Sequence, residues 1–484
     1  MGSVVEENLE REVEELRETF RSGKTKCVNW RRSQLKAILT LLSDKEEEIF
    51  KALYKDLGKP HCEAYRDEIG VLVKTLNIAL ASLKHWVASK KAKLPVAAFP
   101  STAEIKPEPL GLILIFSTWN FPFGLAFEPL IGAIAAGNTV VLKPSELAPT
   151  CSSLLATAIP MYLDSKAIKV VEGGVMVAEG LLEMKWDKIF FTGSPRVGRI
   201  VMSAAVKHLT PVTLELGGKC PAVIDSLPRS WDRKVAIKRI IAGKYGTCGG
   251  QACIGIDYIL VHEEFAPTLI ELLKTWIKRM YGENPRDSMT RIINKERFLR
   301  LKNLLKDPAV CNSIIHGGSL DEANLYIEPT ILLNPPLEAE IMNDEIFGPL
   351  LPIITLKKIE DSIEFINLRP KPLAIYVFTN DNTLKRRMMN ETSSGNLAFN
   401  DAVIQYACDT IPFGGVGQSG FGRYHGKFSF DTFSHEKGVV SKSFLTEFWF
   451  RFPPWTANKL QLLRLGYALN YFGIVLNVLG LKRS

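Results

Sequence analysis

The sequence predicts an α/β protein built on parallel sheets. Three observations carry that expectation. A continuous apolar run of strand length stands at 111–116, and further strand candidates recur at 139–142, 167–171 and 188–192, and again at 222–224, 258–261, 313–316 and 374–379. Runs without alternation suit strands covered on both faces. Helical stretches separate them, as the crossover of a parallel sheet requires. The composition is that of a globular chain, with hydrophobic residues at 46% and charged residues at 23% of 484 residues. It excludes a disordered chain, a collagen and a polytopic membrane protein. At roughly 150 residues per domain, the length is about three domain-sized units.

Taken in order, the chain opens with Leu9, Val13, Leu16 and Phe20 among charged residues, which puts one apolar stripe on a helix that stops at Gly23. Residues 30–54 continue as helix, with Leu35, Ile38, Leu41 and Leu42 on the apolar side. Too few heptads are present for a coiled coil, so these helices form a layer on a core. Pro95, Pro100, Pro107 and Pro109 then break any helix, and residues 102–106 alternate like an extended arm. The run at 111–116 is the first buried strand. A loop containing Trp119 and Asn120 follows, and then an apolar helix capped by Gly137 and Asn138. The remaining runs complete one α/β region to about residue 219 and a second from 221 to about 400. No internal repeat or low-complexity segment occurs.

Five short motifs could carry chemistry. In Phe190-Phe-Thr-Gly193-Ser194-Pro195-Arg-Val-Gly198, a strand meets a helix, with Ser194 as N-cap and Pro195 as first helical residue. Such a helix start is an anion site that suits a dinucleotide pyrophosphate. The two glycines stand five apart, so this is not the usual G-x-G-x-x-G fingerprint. Lys143 and Glu146 follow another strand, where they could hydrogen-bond ribose hydroxyls. Glu215 lies between two leucines before Gly217 and Gly218; apolar surroundings raise a carboxylate's pKa, which suits a general base. Cys253 ends a glycine-rich loop, Cys248-Gly-Gly-Gln-Ala-Cys253, expected at a helix start where a thiolate is stabilised. Glu345 and Phe347, two residues apart, could grip a second ribose and a flat ring. Each motif alone also fits an ordinary turn, cap or core residue.

Together and in order, the motifs resemble the NAD(P)-dependent aldehyde dehydrogenase superfamily. The resemblance rests on Trp119-Asn-Phe-Pro122, Lys143-Pro-Ser-Glu146, Phe191 through Gly198, Leu214-Glu-Leu-Gly-Gly-Lys219, Gly250-Gln-Ala-Cys253, Glu345-Ile-Phe-Gly-Pro349 and Pro412-Phe-Gly-Gly-Val-Gly417, and covers about residues 10–440. The short N-terminus and the segment 420–435 are similar to the plant-like members of the family 3 branch. The resemblance implies an aldehyde dehydrogenase-like fold. Residues 1–94 and 110–219 would form a Rossmann-type cofactor domain, 220–405 an α/β catalytic domain, and 95–109 with 406–440 a small β oligomerisation arm. It implies a homodimer that oxidises medium- or long-chain aliphatic or aromatic aldehydes to acids with NAD, NADP being possible. Cys253 would be the nucleophile, Asn120 an oxyanion donor and Glu215 the base for hydrolysis. Lys143 and Glu146 would hold the adenosine ribose, Ser194 with Gly193 and Gly198 the pyrophosphate, and Glu345 with Phe347 the nicotinamide side. Phe413 and His425 would line the substrate entrance. The chain departs from the family pattern at Cys248, where Asn is common, and at Ala252, where Thr is usual. Cys248 could form a disulfide with Cys253 under oxidation.

The eight cysteines show no CxxC pair or metal-ligand spacing, and the acidic N-terminus has no signal-peptide pattern, so free thiols, no metal and a cytoplasmic setting are expected. The net charge of +8 is weak for 484 residues, and no nucleic-acid partner is expected. Residues 465–481 carry no formal charge and are followed by Lys482 and Arg483. That stretch is at the short limit for spanning a bilayer, so residues 441–484 are read as a tail capable of membrane contact, peripheral or anchored, for example at the endoplasmic reticulum.

Overall fold

The computed structural model describes residues 2–95, 98, 100–282, 284–445 and 447–479, the side chains of 2–8 and 287 excepted. Two compact units emerge. The larger comprises Met1–Lys84 with Pro109–Ser434, and the smaller His85–Glu108 with His435–Ser484.

The larger unit holds two large sheets and a two-stranded one, Leu320–Asp321 with Tyr326–Ile327. The first has six strands in the order Gly420–Phe421, Val212–Leu216, Lys188–Gly193, Leu112–Phe116, Thr139–Lys143 and Ile168–Val170. All neighbours are parallel except the short edge strand Gly420–Phe421, which runs antiparallel to Val212–Leu216. Leu112, Leu114, Val141, Ile189, Phe191, Leu214 and Leu216 bury one face of this sheet against Leu9, Val13 and Leu16 of the helix Gly2–Arg21 and Val201 and Ala205 of the helix Pro195–Val206. The N-terminal stripe read from the sequence is therefore spent on the sheet. The single helix expected over 30–54 is two, Val28–Asp44 and Glu46–Leu57, broken at Lys45. Glu46, Glu47 and Glu48 occupy the first turn of the second helix, where carboxylates favour a new start.

The helix Gly124–Ala136 is buried along its whole length. It ends at Gly137, whose φ of 96° and the Arg31 guanidinium 2.5 Å from where a Cβ would sit both require glycine. Arg31 donates to the carbonyl of Ala135 at 3.0 Å, closing the helix end.

The second sheet has seven strands, ordered Ile314–His316, Thr330–Leu333, Leu350–Leu356, Tyr258–His262, Pro221–Ile224, Ala374–Phe378 and Asn396–Phe399. Only Ile314–His316 is antiparallel to its neighbour. Its core joins Val223, Leu260, Leu332, Leu350, Ile375 and Val377 to Phe298, Leu301, Leu304 and Leu305 of the helix Lys295–Lys306. Three of these strands were not foreseen. Leu350–Leu356 carries Pro352 in register with Leu332, and a proline ordinarily argues against an interior strand.

Residues 406–434 fold with the larger unit rather than as an extended arm. Within it the helix Lys427–Thr432 is seated on Gly124–Ala136, where a Cβ at Gly132 would stand 2.6 Å from that of Ser429.

The smaller unit contains a three-stranded sheet in the order Lys90–Ala92, Thr102–Pro109, Ser434–Ser441. Lys437 pairs with Glu108 at 2.9 Å. Beyond it, the apolar tail stretch is not one helix. Ala457–Tyr467 and Tyr471–Val478 are separated at Leu469, which has φ 55°, and Asn470 accepts a hydrogen bond from the Gly473 N–H at 2.8 Å to start the second. Among the described residues, no helix is long and apolar enough to cross a membrane. Lys482 and Arg483 lie outside the described residues.

Candidate active site

The order of the six-stranded sheet reverses between Leu112–Phe116 and Lys188–Gly193: one strand leads on to Thr139–Lys143, the other to Val212–Leu216. Ligand crevices of open α/β sheets lie at the carboxyl ends of the strands flanking such a reversal. Ser117, Trp119 and Asn120 follow the first strand; Ser194 follows the second. The Ser117 and Thr192 hydroxyl oxygens are buried here and meet no partner. Orphaned polar atoms at a strand-end crevice fit a polar ligand such as a dinucleotide.

The proposed cofactor residues sit around these ends. Ser194 caps the helix Pro195–Val206 by accepting from the Val197 N–H at 3.4 Å, as the sequence predicts. A Cβ at Gly193 would meet the Phe191 ring at 2.6 Å, and one at Gly198 would meet the Leu216 side chain at 2.9 Å. Gly198 thus lets its helix approach the strand that carries Glu215. Lys143, buried at the end of its strand, pairs with the half-exposed Glu146 at 2.6 Å.

Cys253 does not start a helix. It lies in a turn between the short 3-10 segment Cys248–Gly250 and the strand Tyr258–His262, and it is half-buried. The turn needs its glycines: Gly249 and Gly250 have φ of 59° and 83°, and a Cβ at Gly250 would stand 2.5 Å from the Gly348 carbonyl. Gln251, fully buried, fastens it. Its amide donates to the carbonyls of Cys248 (3.0 Å) and Arg291 (2.9 Å) and accepts from Ile293 N–H (3.1 Å). Burial, followed by the nearby Glu345 and Glu215, pushes the Cys253 thiol up to about 12, while the N–H groups of Cys253 and Ile254 work in the other direction. The helix-start stabilisation read from the sequence is absent. Two backbone donors take its place.

Asn120 is buried, and its side-chain amide donates to the Gln251 carbonyl at 2.9 Å. A side-chain amide has two N–H groups, so a second remains for a ligand oxygen. Glu215 is buried on Val212–Leu216, neither carboxylate oxygen has a partner, and burial alone raises its pKa well above the usual range. Glu345 is likewise raised, first by burial and then by Asp257, while the Gly218 N–H opposes the shift. A Cβ at Gly217 would lie 1.9 Å from its Oε2, so glycine there makes room for the carboxylate. Arg300 holds the Glu345 and Ile346 carbonyls at 2.7 and 2.8 Å. Phe347, at φ 54°, sets its ring edge-on to Trp119 at 5.4 Å. Lys219, which the sequence reading left without a role, pairs with Asp257 and donates to the Ile341 and Asp344 carbonyls at 2.8 and 3.0 Å, anchoring the segment before Glu345. Its signal was its place directly after the Gly-Gly pair.

Phe413 and His425 are not at an open mouth. Both are buried, with the rings stacked at 5.0 Å, and Tyr406 and Tyr424 are packed edge-on against them. Phe413 bridges Tyr424 in antiparallel fashion, which turns both rings inward. An unforeseen polar cluster lies behind: Glu128, Asp409 and His425 bring ligand-type atoms within 4.8 Å of one another. Asp409 is already engaged by Lys74 at 2.7 Å. Cys248 is buried too; its thiol donates to the Asn120 carbonyl at 3.3 Å, and all eight cysteines are free.

Residues 3–439 match the sequence pattern described as the aldehyde dehydrogenase family. Aldehyde dehydrogenase family 3 member F1 of Arabidopsis thaliana is 55% identical over 481 residues, covering 99% of each chain. A solved structure of the substrate-bound state of Staphylococcus aureus AldH superposes with a TM-score of 0.91 at 42% identity, over 95% of this chain and 99% of that one. The NAD-dependent aldehyde dehydrogenase of Sinorhizobium meliloti gives 0.82 at 26% identity, over 92% and 89%.

Proposed function

The chain belongs to the aldehyde dehydrogenase family, an NAD(P)-dependent enzyme taking aldehydes to acids, and from that premise we propose that Cys253 is its nucleophile, Asn120 its oxyanion donor and Glu215 its hydrolytic base. The observation that carries this reading is the convergence of the three. The Asn120 amide is tied to the carbonyl two residues before Cys253, and Glu215, buried with no partner for its carboxylate, is among the charges that push the thiol's pKa up, after burial and Glu345.

The Cys253 sulfur attacks the aldehyde carbon, giving a thiohemiacetal. The free N–H of the Asn120 amide and the Cys253 N–H face the developing alkoxide; one such donor is worth about 10²–10³ in rate. Bound NAD(P) would supply a hydride acceptor for oxidation of the thiohemiacetal to a thioester. Lys143 and Glu146 would hold its adenosine ribose, Ser194 and the glycines at 193 and 198 its pyrophosphate, and Glu345 and Phe347 its nicotinamide side. Glu215 then takes a proton from the water that hydrolyses the thioester. Its burial keeps the proton-accepting form basic enough for the task.

The test is hexanal or nonanal oxidation followed by NADH absorbance. Cys253→Ala should be inactive. Glu215→Gln should release about one equivalent of NADH per site and then turn over roughly 10²–10⁴ times more slowly. In the wild type, hydrolysis should rise with pH through a pKa above the usual carboxylate range. Full turnover by Cys253→Ala would overturn the assignment.

The finer readings follow the same logic. Glu146 beside Lys143 would repel a 2′-phosphate and favours NAD over NADP, with the ratio of kcat/KM for the two cofactors as its measure. Medium- and long-chain or aromatic aldehydes are the proposed substrates, and a homodimer the proposed assembly. The tail is proposed to touch a membrane peripherally. It exposes Phe444, Trp449, Trp455, Tyr467, Phe472 and Val475, and residues 441–484 hold six basic side chains against the single acid Glu447. The helix Tyr471–Val478 is about 12 Å long, short of the ~30 Å bilayer core. Vesicles containing phosphatidylserine should float the full chain but not a form ending at residue 442; equal flotation would reject the contact.

A further inference from the structure

Outside the constellation above, the densest unexplained set of buried charges lies on residues 59–68. Lys59 and Glu68 are both fully buried and pair at 2.5 Å. Burial alone would discourage the Lys59 charge, yet Glu68 and Glu63 hold it above the ordinary lysine value. A buried pair is a weak stabiliser, because desolvation offsets the attraction, and apolar replacements are often as stable. What it supplies is direction. Lys59 donates to the backbone carbonyl of Asn120 at 3.1 Å and lies 4.5 Å from the Phe121 ring centre. Glu68 Oε2 accepts from the N–H groups of Phe123 at 2.9 Å and Gly124 at 3.2 Å, at the start of the helix Gly124–Ala136. Between them, Glu63 accepts from the Cys248 N–H at 2.7 Å and the Thr290 hydroxyl at 3.1 Å. One ten-residue stretch therefore grips the Asn120 segment at both ends and the start of the cysteine turn. Part of the stretch, Tyr65–Ile69, is a π-helical turn, a form common at functional sites.

We propose that the Lys59–Glu68 pair, with Glu63, consists of positioning residues that fix the Asn120 side-chain amide relative to Cys253. This rests on the reading of Asn120 as oxyanion donor. The pair touches neither substrate nor cofactor. It acts through the main chain at Asn120 and just after it, and the amide is in turn fixed by its bond to the Gln251 carbonyl. A displacement of about 1 Å at a catalytic group can cost roughly 10² in rate.

The test uses two cofactor-free probes of the Cys253 thiol. p-Nitrophenyl acetate acylates the sulfur through a tetrahedral oxyanion and releases p-nitrophenolate. Iodoacetamide forms a carbon–sulfur bond with loss of iodide and passes through no oxyanion. The variant Lys59→Met/Glu68→Gln removes both charges together and keeps an acceptor for Phe123 and Gly124. Its p-nitrophenolate burst should slow about 10–100-fold, with iodoacetamide alkylation within about twofold of wild type. In an Asn120→Ala background the same pair of changes should add less than about twofold, because the group it positions is gone. Glu68→Gln alone, closest to wild type in shape, should slow the burst roughly threefold with the same silence in Asn120→Ala, and it stands in if the double change prevents folding. An unchanged burst, a parallel fall in alkylation, or an undiminished effect in the Asn120→Ala background would overturn the proposal while leaving Asn120 in place. A wild-type burst in Asn120→Ala itself would overturn the oxyanion reading and this inference with it.

Discussion

Glu128 and His425 face each other in a buried cluster and are shifted in opposite directions. Burial, then Asp409, pushes the Glu128 carboxyl up to about 8. Burial, then Lys74, brings His425 down to about 3. Tyr406, Phe413 and Tyr424 surround the imidazole, and Thr75 and Lys74 face the two acids. A carboxyl with a raised folded pKa contributes stability that is present below its unfolded value and lost as pH rises through the folded value. A histidine with a lowered one contributes stability above its unfolded value, lost as pH falls. Between pH 6.5 and 8 the cluster therefore changes stability mainly through Glu128. Chemical denaturation across that window should show wild type losing stability relative to Glu128→Gln by about 1 kcal/mol per pH unit. Parallel curves would mean that Glu128 is already ionised in the folded protein throughout that window. At this scale, Cys253 and Glu215 drew attention because each sits in a motif with its own chemistry, and Asn120 through the family resemblance. Lys59, Glu63 and Glu68 did not. They belong to no motif, and their partners are distant segments of chain, at Asn120 and Cys248.

Among elements, the buried strands were legible wherever an apolar run stood alone, as at Leu112–Phe116. They were missed where local chemistry disagreed with the fold, as at Pro352 in Leu350–Leu356. Lys427–Thr432 is a helix although Phe428 and Phe430 stand two apart, as on a strand; Ser429 packs closely on Gly132. The junction between the two sheets tests another element-level claim. Gly217 follows the strand Val212–Leu216, and its missing side chain leaves space for Glu345. Gly217→Ala should force that carboxylate away and weaken NAD binding about tenfold or more by fluorescence titration, with a loss of stability of about 1–3 kcal/mol. Unchanged binding would remove Glu345 from the cofactor site.

For the whole molecule, the smaller unit is where sequence reading and structure part most. The C-terminal share of the smaller unit begins at His435, whereas the sequence reading began the arm's C-terminal part at 406. The sheet leaves Ser434–Ser441 as an edge strand with Val440 exposed, the kind of edge on which a second copy can pair. If the dimer forms there, Val440→Pro should shift sedimentation toward the monomer while the larger unit keeps its melting temperature; an unchanged mass would place the contact elsewhere. The six-stranded sheet adds a matter of timing. Gly420 pairs with Glu215 across the sheet, so the strand carrying Glu215 gains its last neighbour only after most of the chain has been made. Asn120, Glu215 and Cys253 all leave the ribosome well before that, and the nascent polypeptide should stay inert toward aldehydes until its final strand arrives. A translation-arrested chain ending before Gly420 that already oxidised nonanal would show that the strand is not needed to complete the site.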